Sequence, residues 1–409
     1  MTHSIPTVLD ADLCAGCGGC AAVAPDAVTM GLSDKGYARP EFSKSLRPSQ
    51  KQSLKKICPS VRQSCDPDGR TINPVWGPFV TCETGFSTDE TLRKKAASGG
   101  ALSGFAISLL ESQEVDGVIH IKADPSNPLA NVTSVSTNAE EVLAAAGSRY
   151  APSSPLDILN TLKGDGRRYA FIGKPCDVSA LRSLRKLDSD VADMVPVLIS
   201  FFCAGVPSLH SSQDILEKLD VLPDRVLRFQ HRGEGWPGLA TAVLDNGKQH
   251  TMSYSQSWGN ILSKTVQQRC KLCADGSGVF ADVVFADAWE TDAQGYPSFD
   301  DRPGQSLILC RTDLGRRLVD AAVAAGHLSA APYEVNELTR IQPGQTRRRR
   351  VLAARLAALR VLGRPVPQYR GMGVWTMARQ ASFTEILRNF GGMLRRALRP
   401  SVKEEGGQC

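Results

Sequence analysis

The stretch Tyr169-Ala-Phe-Ile-Gly-Lys-Pro-Cys-Asp-Val-Ser-Ala-Leu-Arg-Ser-Leu184 decides the reading of this chain. Its first four residues, Tyr169 to Ile172, form a short β-favouring run. After Cys176 the apolar residues Leu181 and Leu184 recur at helical spacing. The segment therefore predicts a buried strand that turns into a helix, with Cys176 at the turn. On either side, Gly117 to Ile121, Val197 to Phe202, Val279 to Phe285 and Ser306 to Cys310 read as further strands, alternating with amphipathic helical patterns. Such alternation between about Pro78 and Tyr333 predicts an α/β core with a mixed sheet.

The flanks differ from this core. Up to about Gly77 the chain is polar, proline-punctuated and cysteine-bearing, with little periodicity, as in a small domain that needs a metal staple. Beyond residue 333 it is basic and rich in alanine and arginine, with Val351, Leu352, Leu356, Leu359 and Leu362 at helical spacing. The expectation is an α+β chain in three parts. Residues 1–77 form a small metal-bearing domain, 78–333 the mixed-sheet α/β domain and 334–409 a basic helical extension.

Bulk composition excludes several classes. With 409 residues, 42% hydrophobic and 22% charged, the chain can bury a large core. The amino terminus lacks a basic-then-apolar leader, and the longest apolar stretch, Val195 to Val206, is interrupted by Pro196 and Ser200. No export or membrane span is expected, and the location expected is cytoplasmic. Twelve cysteines concentrated in C-x-x-C patterns then point to metal ligation rather than disulfides. The net charge of +6 is modest and lies largely beyond residue 340, which favours an acidic partner over nucleic acid.

The strongest chemical signal is Cys14-x-x-Cys17-x-x-Cys20, followed by Cys58-Pro59. Three thiolates on a glycine-rich turn hold three corners of a [4Fe–4S] cube, and one distant cysteine completes it. In two-cluster ferredoxins this run continues to a fourth cysteine, which serves the other cube. Here that position is Ala24, and the companions that Cys58 would need fall at Pro48, Lys51 and Leu54, none of which binds iron. The losses match, leaving one cube on Cys14, Cys17, Cys20 and Cys58. Tetrahedral zinc on the same four thiols is the alternative.

Cys176, Cys203 and the pair Cys270-x-x-Cys273 are scattered. Cys176 and Cys203 each follow a predicted strand, so two strand ends and one loop can converge at the carboxyl edge of the sheet. Taken singly, Cys176 and Cys203 also read as buried structural thiols, and Cys270 with Cys273 as a redox dithiol. Cys65, Cys82, Cys310 and Cys409 lack partners at ligand spacing. Ser98-Gly99-Gly100 precedes an apolar helix from Leu102 to Leu110 and offers free N–H groups with little bulk, suited to a phosphate or flavin edge or to close helix packing. Gly147-Ser148-Arg149-Tyr150 reads as a dinucleotide contact or a loop anchor. No G-x-G-x-x-G follows a strand, so an ordinary Rossmann nicotinamide site is not expected. His231, Arg232 and Trp236 form a polar, aromatic loop that orients a substrate or simply turns around a core tryptophan.

Taken in order, these motifs resemble the coenzyme F420 hydrogenase/dehydrogenase beta-subunit family, which includes 7-hydroxymethyl chlorophyll a reductase-like enzymes. The resemblance covers roughly Asp10 to Gly315. It rests on the run from Cys14 to Cys20, Ala97 to Gly100, Gly147 to Tyr150, Gly173 to Cys176, Cys203 to Ser208, and Arg269 to Cys273 leading to Ala286 to Trp289. It implies a ferredoxin-like amino-terminal domain and FAD in the central domain, with Ser98, Gly99, Gly100, Gly147, Ser148, Arg149, Tyr150 and Lys174 as cofactor contacts. It also implies a [4Fe–4S] cluster beside the flavin, held by Cys176, Cys203, Cys270 and Cys273. Many members carry two clusters in the ferredoxin-like part, whereas this chain retains ligands for one.

The expected activity is relay of single electrons from ferredoxin or another acidic partner to FAD, the amino-terminal cluster receiving them, for two-electron reduction of a small organic substrate. His231 and Asp287 are the candidate proton donors. An F420-reacting or electron-input subunit of a larger redox complex is the second reading, and a non-catalytic metal-stapled module the third. In the tail, Arg347 to Arg350, Arg355 and Arg360 make a basic face for an acidic ferredoxin. Phe383, Ile386, Leu387, Phe390, Met393, Leu394 and Leu398, with Arg395, Arg396 and Arg399 nearby, fit a helix lying on an anionic membrane, a peripheral contact at most. Either stripe also serves as plain core cover.

Overall fold

The computed structural model describes residues 4–290 and 303–398. Its centre is an eight-stranded mixed sheet built from β1 (Thr81–Ser87), β2 (Gly117–Ala123), β3 (Asn131–Ser136), β4 (Tyr169–Gly173), β5 (Val197–Phe201), β6 (Val283–Asp287), β7 (Ser306–Cys310) and β8 (Leu328–Pro332). The spatial order is β8-β1-β7-β6-β5-β4-β2-β3. Strands β2, β4, β5 and β6 are parallel neighbours, and the outer strands pair antiparallel. The four parallel strands therefore end at one common edge.

The longer helices are α1 (Pro48–Ile57), α2 (Ala101–Glu111), α3 (Pro175–Arg185), α4 (Asp313–Ala324), α5 (Pro343–Val361) and α6 (Phe383–Leu398). Side chains alternate across the sheet with the period of two that strands impose. Ala170, Val197, Ile199, Val283, Phe285 and Ile308 pack under Phe105 and Leu109 of α2 and Leu318 of α4. On the opposite face, Phe171, Leu198, Val284, Leu307 and Leu309 share a core with Leu181 of α3. That second core is continuous with Ile5, Val8 and Leu54 near the amino end and with Leu352, Leu356, Met393 and Ala397 near the carboxyl end.

The strand expected over Val279 to Phe285 begins only at Val283. Gly278 adopts a φ of +68°, and the Asp275 carboxylate accepts the Val279 N–H at 3.1 Å, which fixes a turn there. Other expected strands match within two residues. Strands β1, β3 and β8 were not anticipated, nor was a separate antiparallel sheet of Val226–Gln230, Leu239–Leu244 and Gln249–Ser253. The amino-terminal part carries short helices, Ile5–Asp10 and Gly19–Val23, and a hairpin of Val28–Leu32 with Ala38–Phe42. Leu352, Leu356, Leu359 and Met393 of the tail cover the core, while Phe383, Leu387 and Leu398 stay exposed. Among the described residues no helix is long and apolar enough to cross a membrane. Cys65, Cys82 and Cys310 are buried free thiols; Arg399 and Cys409 lie outside the described residues.

Candidate functional site

Cys14, Cys17 and Cys20 lie on the turn that enters the helix Gly19–Val23, and Cys58 caps the carboxyl end of α1. The turn requires glycine. Gly16 has a φ of +72°, with Ala38 O 2.9 Å from where a Cβ would stand, and Gly18 has +83°, with Ser154 O at 2.7 Å. The four sulfur-bearing residues line one void of about 30 Å³ whose other walls include Ile5, Val8, Leu54 and Ile57. Burial, then the Cys14 charge, pushes Cys58 up to about 11. Burial likewise raises Cys17, helped by Cys20 and Asp177, and Cys20, helped by Cys14 and Cys58. Thiols that oppose one another's ionisation become ligands once a positively charged group sits among them.

The second set assembles at the carboxyl edge of the sheet. Cys176 is the second residue of α3, where the Asp177 carboxylate accepts the Lys174 N–H at 3.0 Å. Cys203 follows β5 by two residues, and Cys270 and Cys273 flank the end of the helical turn Gln268–Lys271. Burial and then the charge of Cys270 push Cys203 up to about 12. Cys176 is raised by burial and then Asp177, with Cys203 and Cys270 adding to the rise. Each of the four thiols thus lies within electrostatic reach of another of the set. The Val206 N–H and Gln267 Nε2 both donate to Cys270 Sγ, at 3.4 and 3.6 Å. Among the described residues no group of three or more His, Cys, Asp or Glu side chains is arranged to hold a single metal ion.

The two sets adjoin. Buried Arg269 donates to Pro59 O at 2.9 Å and to Ser60 Oγ and Gln63 Oε1 at 3.2 Å, all next to Cys58. Its charge acts on Cys58 of the first set and on Cys176, Cys270 and Cys273 of the second. Asp177 acts on both Cys17 and Cys176. Gln267 reaches Ala15 O at 3.4 Å, so backbone of the first turn is tied directly to the second.

Beside the second set opens a cavity of about 320 Å³, within the usual range for a small-molecule site. Its rim is the end of the parallel strands, from Gly173 on β4, Phe201 on β5 and Asp287 on β6, the position where open α/β sheets bind ligands. Cys203 is part of its wall. Ser98, Gly100, Gly147, Ser148, Arg149, Tyr150 and Lys174 all line it; Gly99 stands behind, packed on Gly304. Ser98 Oγ donates to Ala286 O at 2.8 Å, which fixes the small-residue turn against β6. Burial alone would lower Lys174, but Asp177, at 2.8 Å, and the Cys176 thiol outweigh it and keep the ammonium charged. The cavity thus has small residues on one wall and Tyr254, Trp258 and Trp289 on another, with Lys174, Arg149 and Arg232 as its lining cations.

Three candidates have protein partners in the structure. Arg149 spends its guanidinium on Asn131 Oδ1 and on the carbonyls of Phe229, Pro128 and Ala130, and so anchors its loop. His231 is buried outside the cavity wall, with Nε2 2.9 Å from Ser212 Oγ. Asp287 does line the cavity, yet its carboxylate accepts two bonds from Arg232, at 2.8 and 2.6 Å, and one from Trp236 Nε1 at 2.9 Å. Arg232 in turn lies over Trp289 at 4.9 Å, and Trp236 stacks on Trp289 at 4.9 Å. This Arg232–Asp287 pair is therefore a rigid wall of the cavity. Sequence reasoning passed over Tyr254, Trp258 and Gln345 as lining residues; a tyrosine or tryptophan in a polar stretch was the only signal available for the first two.

Comparison with known proteins bears on the family and the fold. Residues 82–160 match the amino-terminal, and residues 166–336 the carboxyl-terminal, region of the "Coenzyme F420 hydrogenase/dehydrogenase, beta subunit" family. The coenzyme F420 hydrogenase subunit beta of Methanococcus voltae is 28% identical over 283 residues, covering 66% of this chain and 88% of that one. The chloroplastic 7-hydroxymethyl chlorophyll a reductase of Oryza sativa subsp. japonica is 25% identical over 240 residues, covering 57% of this chain and 47% of that one. A chain in the F420-reducing [NiFe] hydrogenase complex from Methanosarcina barkeri shares the fold, with a TM-score of 0.52 at 24% identity, over 69% of this chain and 95% of that one. Mixed sheet, strand-edge cavity and relatives together define an α/β oxidoreductase. Within that class, the chain belongs to the coenzyme F420 hydrogenase/dehydrogenase beta-subunit family.

Proposed function

We propose that the chain is an iron–sulfur flavoprotein that takes single electrons from a protein partner and delivers them in pairs to a small organic substrate. One observation carries this reading: eight cysteines gather into two adjoining sets, and Cys203 of the second set is also a wall of the large cavity. Cys14, Cys17, Cys20 and Cys58 would hold one [4Fe–4S] cluster and Cys176, Cys203, Cys270 and Cys273 another. FAD would lie against Ser98, Gly100, Gly147, Ser148, Tyr150 and Lys174. Bound there, these groups would supply the exchange between one-electron and two-electron chemistry.

The chain's own residues bind, orient and insulate. Lys174, held by Asp177 and by Ser153 Oγ at 2.9 Å, presents a fixed positive charge to the cavity. The Arg232–Asp287 pair and Trp289, which is backed by the stacked Trp236, form one wall of the cavity. The Val206 N–H and Gln267 Nε2 donate to Cys270 Sγ and fix the orientation of that sulfur.

Relatives named as F420 hydrogenase and F420-dependent formate dehydrogenase beta subunits support the second reading, an F420-reacting or electron-input subunit of a larger complex. Anaerobic purification with iron, sulfide and flavin quantification, and EPR of the reduced protein, tests both. About eight irons and one flavin per chain are expected. A colourless, zinc-loaded chain would remove both readings and leave a metal-stapled module. Turnover that starts only when a partner subunit is added selects the second reading.

A further inference from the structure

Helix α5 begins beyond residue 336, where the family match ends, yet it grips the second thiol set along its length. Gln345 Nε2 donates to Cys203 O at 3.0 Å, and Arg348 donates to Cys203 O at 3.1 Å and to Ala204 O. About two turns later, Arg355 donates to Lys271 O at 3.1 Å, between Cys270 and Cys273, and to Asn389 Oδ1 of α6 at 2.9 Å. Arg347 and Arg396 are exposed beside them. The four guanidiniums are close enough that burial, followed by the charges of Arg396, Arg348 and Arg347, brings Arg355 down to about 10. Glu385 is the nearby acid, and it pairs with Arg350 at 3.8 Å. Among the described residues no carboxylate stands within ion-pair distance of Arg347, Arg348, Arg355 or Arg396. Like charges crowded in this way cost stability, and an opposing acidic surface removes that cost.

We propose that the face formed by Arg347, Arg348, Arg355 and Arg396 docks an acidic one-electron carrier protein, making the second thiol set the port to that partner. The inference rests on the redox reading above. Arg348 and Arg355 belong to both the face and the thiol loops, so a docked carrier would stand one side chain away from the backbone of Cys203 and Lys271. Arginine is also the cation most enriched in protein interfaces. The thiols themselves account for Arg348, whose charge acts on Cys203 and Cys273. They do not account for Arg347 and Arg396, which serve the outer surface.

A competing port exists on α1, where exposed Lys51, Lys55 and Lys56 lead to Cys58 of the first set. Calorimetric titration of the anaerobically purified full chain with a small acidic [2Fe–2S] ferredoxin, at low and high salt, separates the two. The affinity is expected to fall with salt. The double variant Arg347→Glu/Arg396→Glu should bind at least about tenfold more weakly at low salt and lose most of the salt dependence, with iron content unchanged. Lys51→Glu/Lys55→Glu should bind like the parent. The opposite pattern, or no binding by an iron-replete parent, overturns the proposal while leaving the redox reading in place. A zinc-loaded parent would instead remove the redox reading and the electron port with it, whichever residues bind the ferredoxin.

Discussion

Cys14, Cys17 and Cys20 come from one glycine-rich turn and need a single distant helper, Cys58, whereas Cys176 and Cys203 stand past the ends of two neighbouring parallel strands and Cys270 and Cys273 are brought to them by a separate helical turn. Their surroundings differ as well. The first set is walled by Ile5, Val8, Leu54 and Ile57. The second is ringed by Lys174, Arg269 and Arg348 and adjoins the large cavity. A local turn is thus enough to seat ligands in an apolar niche. Placing them beside a ligand cavity takes a whole sheet and a brace of charged side chains.

The comparison is most open to attack at the cysteines themselves. If the sets are separate sites, Cys270→Ala should lower the iron content from about eight to about four per chain and leave the first set's EPR signal intact, with Cys14→Ala doing the converse. Loss of both signals from either change would make them one cooperative unit. Next comes the tie between them. Arg269→Met leaves Pro59 O, Ser60 and Gln63 without their donor inside the protein and should cost about 3 kcal/mol in denaturant unfolding, broadening both EPR signals. An unfolding midpoint equal to the parent's would show that the sets do not depend on that guanidinium.

Acid offers a control that belongs to neither set. Burial, then the Arg149 charge, depresses His231 well below 6.5. Above that pH neither the folded nor the unfolded chain binds this proton, so nothing changes. Below it the unfolded chain takes a proton that the fold refuses, and stability should fall by up to about 1.4 kcal/mol per pH unit. His231→Asn should flatten this acid slope without altering the ratio of the two EPR signals. The smallest effect is expected from Gln345→Ala, which removes one bond to Cys203 O, costs about 1 kcal/mol and perturbs only the second set's signal.

What the sequence disclosed follows the same division. The first set was legible because its spacing is itself the geometry. The second was legible as strand ends, since Tyr169 to Ile172 and Val197 to Phe202 are short apolar runs followed by cysteine, but its convergence depended on strand order, which periodicity does not carry. Strand β1 escaped notice because Thr81-Cys-Glu-Thr-Gly-Phe-Ser87 buries small and polar residues instead of an aliphatic face. Arg347 to Arg350 read as one basic run, yet successive helical residues point about 100° apart. Arg349 accordingly turns inward, donating to Ala274 O and Met372 O, while Arg347 faces out. Side-chain bonds to distant carbonyls leave no mark in a sequence, and that is why the hold of α5 on the second set became visible only in three dimensions.

The seat of the first set includes Ala180, and the brace of the second extends to Arg355. A ribosome releases Cys14, Cys17 and Cys20 long before either residue emerges. Those thiols are therefore born naked, and on the proposed iron–sulfur reading the nascent chain would need shielding from oxygen, or an iron-delivering scaffold, until the sheet closes behind them.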